Sequence, residues 1–188
     1  MINAPNILLI GAAGRNTGKT TLACRVIENI SKDTPLVAAK VTTIVERDGK
    51  CPHGGEGCGA CSSLEGDFQI TQETDSDSNK DTARLLQAGA KEVYWLRTQK
   101  DYLKDAATAL LETIGPDIPC VIESNSLRLV AQPSLFIMTK DKDNGVYKPS
   151  AKDVADLADI KVSFSGTTFD TNPDDIYLTN GKWTLRKN

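Results

Sequence analysis

"NILLIGAAGRNTGKTTLACRVIENI", residues 6–30, decides the reading of this chain. "NILLIG" (6–11) is a short apolar run of the kind that forms a strand buried on both faces of a parallel sheet. "GKTTLACRVIENI" (18–30) then places Leu22, Val26, Ile27 and Ile30 on one helical face. Between them, residues 13–20, "AGRNTGKT", match the Walker A phosphate-loop pattern with Ala13 in place of its first glycine. The spacing follows from the chemistry. Gly14 and Gly18 let the backbone curl, so that successive N–H groups of Ala13, Gly14, Arg15, Asn16, Thr17 and Gly18 can converge on phosphate oxygens. The helix that opens near Gly18 adds its positive end. Lys19 is expected to reach the β- and γ-phosphates and otherwise to face solvent. Thr20 is expected to ligate Mg²⁺ through its hydroxyl, with Thr21 beside it.

Outward from this stretch, apolar runs alternate with helical periods. "PLVAAKVTTIV" (35–45), "EVYWL" (92–96), "IPCVIE" (118–123), "SLFIMT" (134–139) and "KVSF" (161–164) read as further strands. "NKDTARLLQAGA" (79–90) and "DYLKDAATALLETIG" (101–115) read as helices stopped by Gly89 and Gly115. Ser150 with Asp153 resembles a capping box that opens a helix over "AKDVADLAD". "DIYLTNGKWTLRK" reads as a hairpin turned at Asn180-Gly181. The expectation is one α/β domain over residues 1–188. Its sheet is mostly parallel, with about six strands and helices on both faces, and a C-terminal β-hairpin is added. Residues 46–80 show no clear period and read as an insertion rich in Gly, Ser and Asp.

Composition narrows the function. A net charge of −3 and 5% aromatic residues argue against a nucleic-acid partner. The N-terminal apolar run lacks a basic flank and is broken early by glycine, so it reads as a strand rather than a leader. No run approaches the roughly 18 apolar residues of a membrane span. The expected setting is the cytoplasm, where thiols stay reduced and clustered cysteines bind metal more often than they pair.

A Mg²⁺–nucleotide site also needs an acid at the end of a neighbouring strand. Glu123, after the apolar "CVI", fills that place, and Asp81 is a second candidate. Catalysis is therefore assigned to Lys19, Glu123 and Asp81, and Mg²⁺ to Thr20 and Glu123. A second constellation lies in "CPHGGEGCGAC" (51–61), which holds three of the five cysteines and the single histidine. Cys58 and Cys61, two residues apart, present the usual first half of a soft-ligand site. Cys51 and His53 can close it across a glycine-rich turn. Zn²⁺ uses all four groups, whereas an iron–sulfur cluster would use the three cysteines and a ligand from elsewhere. Cys24 and Cys120 read as core thiols.

The order "IGAAGRNTGKTTL", "AAKVTT", "KDTARLLQAGAKEV" and a "VIE" strand end resembles MobB, the molybdopterin-guanine dinucleotide biosynthesis adaptor, and related P-loop GTPases that handle metals and cofactors. The likeness covers about residues 5–140. It implies a parallel-sheet P-loop domain, often homodimeric, that binds GTP or a related nucleotide. It also implies a switch region containing Lys40 and Asp81, with Glu123 on the metal side. Val41 and Ser124 stand where the family usually has histidine and glycine, and the cysteine loop is an addition to its pattern. "TKDKD" (139–143) resembles the guanine-reading motif, with its acid displaced to Asp141 or Asp143. The combined expectation is a Mg²⁺-dependent nucleoside triphosphatase, using GTP or ATP, that assists a client protein in metal-cofactor maturation. A small-molecule kinase and a nucleotide-gated adaptor with negligible turnover are the alternatives.

Overall fold

A computed structural model describes residues 1–44, 64–143 and 145–186. The chain forms a seven-stranded sheet from β1 (Ile2–Ala12), β2 (Val37–Ile44), β3 (Phe68–Gln72), β4 (Glu92–Gln99), β5 (Cys120–Glu123), β6 (Ala131–Asp141) and β7 (Ile160–Phe164). The order across the sheet is β3-β4-β2-β5-β1-β6-β7, and only β3 runs antiparallel to its neighbour. The helices are α1 (Lys19–Ile30), α2 (Asp81–Gln87), α3 (Leu103–Ile114) and the single turn α4 (Pro149–Lys152).

Alternation along β1 explains why its sequence is apolar throughout. Ile7 and Leu9 join a core with α3, while Leu8 and Ile10 join a core with α1 and α2. All four are at most 1% exposed. Helices therefore cover both faces, as a mostly parallel sheet requires. Two further strands, β8 (Ile176–Thr179) and β9 (Lys182–Leu185), make the expected hairpin. Asn180 and Gly181 take positive φ at its turn, which suits those two residues. Buried Trp183 on β9 donates its ring N–H to the Asn6 carbonyl at 2.9 Å and fixes the hairpin to the base of β1.

Two sequence expectations change. The sheet has seven strands rather than about six, because β3 lies within the segment read as aperiodic. "FQITQ" does alternate, with Phe68 and Ile70 packed against the α3-side core and Gln69 and Thr71 opposite. At an edge and half-buried, it carries a weaker apolar signal than the central strands. The helix expected over residues 151–159 is only one α-turn followed by a 3-10 turn, Ala155–Leu157. Its N-cap is Lys148 and its first turn carries Pro149, so Ser150 is inside the helix and does not cap it. Among the described residues, no helix is long and apolar enough to cross a membrane.

Candidate functional site

The parallel register brings three strand tips abreast. Ile10 on β1 and Lys40 on β2 both pair with Glu123 on β5. The chain leaves β1 here, turns, and enters α1. Gly11 starts the turn where a Cβ would lie 2.9 Å from the Asn125 Oδ1 and from the Phe136 ring. Asn125 brackets the next residue: its Oδ1 accepts from the Ala12 N–H at 2.7 Å, and its Nδ2 donates to the Ala12 carbonyl at 3.0 Å. The Ala13 N–H donates to the Thr139 carbonyl at 2.7 Å. The Thr139 hydroxyl donates to the Gly11 carbonyl at 3.2 Å and is 3.0 Å from the Thr17 hydroxyl. The Lys148 N–H donates to the Ala13 carbonyl at 2.8 Å. This turn is therefore held by β6, by the segment after β5 and by the segment before α4.

Beyond the turn, Gly14 is half-buried, and Arg15 and Asn16 are exposed. Asn16 and Gly18 adopt the left-handed conformation, with φ of 56° and 78°. Gly18 rests on the Phe164 ring at the end of β7, where a Cβ would come within 2.6 Å. Among the described residues no side chain caps α1 at Gly18, and the helix opens with the N–H groups of Lys19, Thr20 and Thr21.

Lys19 does not face solvent, contrary to expectation. Its Nζ is 3.2 Å from Glu123 Oε2, and the two side chains are 24% and 0% exposed. A cation leaving water at the mouth of the loop goes to the nearest buried opposite charge, and Glu123 supplies it. Neither carboxylate oxygen of Glu123 receives a hydrogen bond among the described residues. Lys40 Nζ pairs with Asp81 Oδ2 at 2.5 Å, which links the β2 tip to the start of α2. Burial pushes the Asp81 carboxyl up. The hydrogen bond and charge of Lys40, the charge of Lys19 and the Thr20 hydroxyl outweigh it and hold the group below its ordinary value. Lys19, Thr20, Lys40, Asp81 and Glu123 thus meet at one corner of the sheet.

The depressed Asp81 value makes a pH prediction. A carboxylate stabilised in the folded state contributes fully above its unfolded pKa, and the contribution is lost as pH falls through the folded one. Wild-type unfolding free energy should therefore fall more steeply than that of Asp81→Asn as pH drops below about 4. The difference should be small, because Asp81 is 38% exposed and solvent screens the pair. Parallel slopes in chemical denaturation at stepped pH would show that Lys40 and Asp81 do not interact in solution.

Cys51, His53, Cys58 and Cys61 lie outside the described residues. Among the described ones, no group of three or more His, Cys, Asp or Glu side chains gathers to hold a metal. Cys24 and Cys120 are core residues, and burial pushes the Cys24 thiol up to about 11. In the guanine-like stretch, Asp141 ends β6 and its carboxylate accepts the Asp143 N–H at 2.8 Å. Beside it, Lys142, Ser163, Ser165, Thr168, Phe169 and Asp170 line a cavity of about 170 Å³.

Sequence reasoning missed Asn125, Lys148 and Phe164. Each acts through a contact more than a hundred residues away, so local spacing carries no trace of it. No protein-family model, curated protein or solved structure matches the chain.

Proposed function

We propose that the chain is a MobB-like P-loop protein that binds a Mg²⁺–nucleoside triphosphate, GTP or ATP, and hydrolyses it slowly in support of metal-cofactor maturation. The observation that carries this reading is the fully buried Glu123 carboxylate, which receives no hydrogen bond among the described residues and faces Lys19 at the start of α1. A buried acid with unused lone pairs is costly unless a cation completes its environment. Thr20 and Glu123 fit a hard, oxygen-seeking ion, with Asp81 adjacent through Thr20. Mg²⁺ held there would neutralise charge building on the phosphate oxygens.

The chain's own residues do the rest. The loop from Ala13 to Gly18 and the start of α1 offer N–H groups to the phosphates. Lys19 exchanges its carboxylate partner for phosphate oxygens, which leaves Glu123 to the metal side. Lys40 and Asp81, tied to this corner through Thr20, would sense which of these states is present. The sequence-based metal loop at Cys51, His53, Cys58 and Cys61 would be the contact to the cofactor client, as Zn²⁺ or an iron–sulfur cluster. A homodimer and a cytoplasmic setting belong to the same reading.

Glu123→Gln tests it. The change keeps the shape and removes the charge. It should raise the Mg²⁺ concentration needed for half-maximal nucleotide binding about tenfold, and it should leave affinity without metal within about twofold. A magnesium titration that overlays the wild type would remove Glu123 from the metal side and leave Asp81 as the acid.

A further inference from the structure

Pairing between β1 and β5 ends at Ile10 and Glu123, while pairing between β1 and β6 continues to Ala12 and Thr139. The Asn125 side chain fills the difference. Its carboxamide holds a donor and an acceptor in one plane, as a peptide group does. It accepts the Ala12 N–H at 2.7 Å and donates to the Ala12 carbonyl at 3.0 Å. On the other side of β1 the Thr139 carbonyl accepts the Ala13 N–H at 2.7 Å. The two residues that lead into the phosphate loop are therefore clamped from both sides. Gly11 precedes the Walker pattern of residues 13–20, and room for the Asn125 Oδ1 and the Phe136 ring accounts for it. Asn125 is 9% exposed and two residues from Glu123. One short buried segment thus carries both the acid paired with Lys19 and the clamp on the loop entry.

We propose that Asn125 is a positioning residue for nucleotide binding, which holds the entry to the phosphate loop in register with Glu123 without touching the ligand. The proposal rests on the phosphate-loop reading and goes beyond it, since neither the loop pattern nor α1 contains Asn125. A loop held in place before the ligand arrives does not have to be ordered by it. Misplacement by about 1 Å in such a site costs up to about 100-fold.

Calorimetry tests this on Asn125→Ala and on Asn125→Leu, which keeps the branching but offers no hydrogen bond, at a temperature where urea denaturation shows each variant folded. Both should bind Mg²⁺–GTP or Mg²⁺–ATP about tenfold or more weakly than wild type. Glu123→Gln should also lose its own effect in this background. The Mg²⁺ concentration for half-maximal binding, which that change raises about tenfold in the wild type, should move by less than about threefold in Asn125→Ala. A residue that only stabilises the fold would lower the urea midpoint and leave both binding readings as in wild type. That outcome would overturn the proposal, as would wild-type affinity in Asn125→Leu. The unaltered protein supplies a second measurement, which stands even where a variant fails to fold. Without nucleotide, the Ala12 amide should exchange its hydrogen at least about 100-fold more slowly than in an unfolded chain. Exchange at the unfolded rate would mean that the clamp is not formed, and would overturn the proposal while leaving the phosphate loop standing. A wild type that binds no nucleotide would overturn both, and that result is recognisable because it does not depend on residue 125.

Discussion

Lys19→Ala is expected to weaken binding of Mg²⁺–GTP or Mg²⁺–ATP by at least about 100-fold, the loss of one or two charge-assisted hydrogen bonds to phosphate. The variant should also be less stable than wild type without nucleotide. Its side chain is the counter-charge of a fully buried carboxylate, and truncation leaves Glu123 with neither hydrogen bond nor cation. Removing one partner of a fully buried pair costs about 3–5 kcal/mol. Lys19 is itself 24% exposed and water can follow into the gap, so a loss of about 1–3 kcal/mol is expected here. Adding Glu123→Gln to Lys19→Ala should restore most of that stability without restoring binding. Calorimetry and urea denaturation on the single and double variants separate the two effects. Binding equal to wild type in Lys19→Ala would sink the phosphate-loop assignment. Unchanged stability would show that Lys19 and Glu123 are not paired in solution.

The second large effect is at Gly18. Its φ of 78° costs a residue with a side chain about 1–2 kcal/mol. Its missing Cβ is also replaced by the Phe164 ring, whose Cγ would be 2.6 Å from an added methyl. Phe164 cannot simply swing away, because Phe169 packs behind it with ring centroids 4.7 Å apart. Forcing extra volume into such a contact costs about 1–3 kcal/mol. Gly18→Ala should therefore lose about 2–4 kcal/mol of stability and most nucleotide affinity. Gly14→Ala is the internal comparison: its added Cβ would meet nothing nearer than Thr17 Cγ2 at 3.7 Å, and its stability should change little. If Gly18→Ala unfolds at the same urea concentration as wild type, the loop does not take this backbone path.

These two residues also show what could be read from sequence. The strand, loop and helix of residues 6–30 were legible because their determinants are local: an apolar run, glycines at fixed offsets, and a helical stripe. Glu123 was legible as the polar residue that ends an apolar strand. The hairpin was legible from Asn180-Gly181, where positive φ admits few residues. The partners of the loop were not. Nothing near Gly18 indicates that Phe164 will fill the space its side chain leaves empty. Nothing near Ala12 points to Asn125. The pattern around Lys19 describes a residue meant for phosphate. It does not say that the ammonium will settle on a buried acid. The edge strand β3 was overlooked for a different reason: half-burial leaves its alternation short and diluted by glutamines.

The position of β1 in the middle of the sheet has a temporal consequence. Its strand neighbours are β5 and β6. The side-chain anchors of its terminal turn, Asn125 and Thr139, bond partners 113 and 128 positions earlier in the chain. Closing loops of that length is entropically expensive, and contacts so far apart in sequence form slowly. During synthesis, at about 5–20 residues per second, this strand and its glycine loop leave the ribosome well before β5 and β6. They then wait, without a strand on either side, until more than a hundred further residues have been added. An apolar segment this buried in the finished sheet is thus exposed for several seconds in the nascent chain. The stretch that defines the site is made well before the strands that give it its shape.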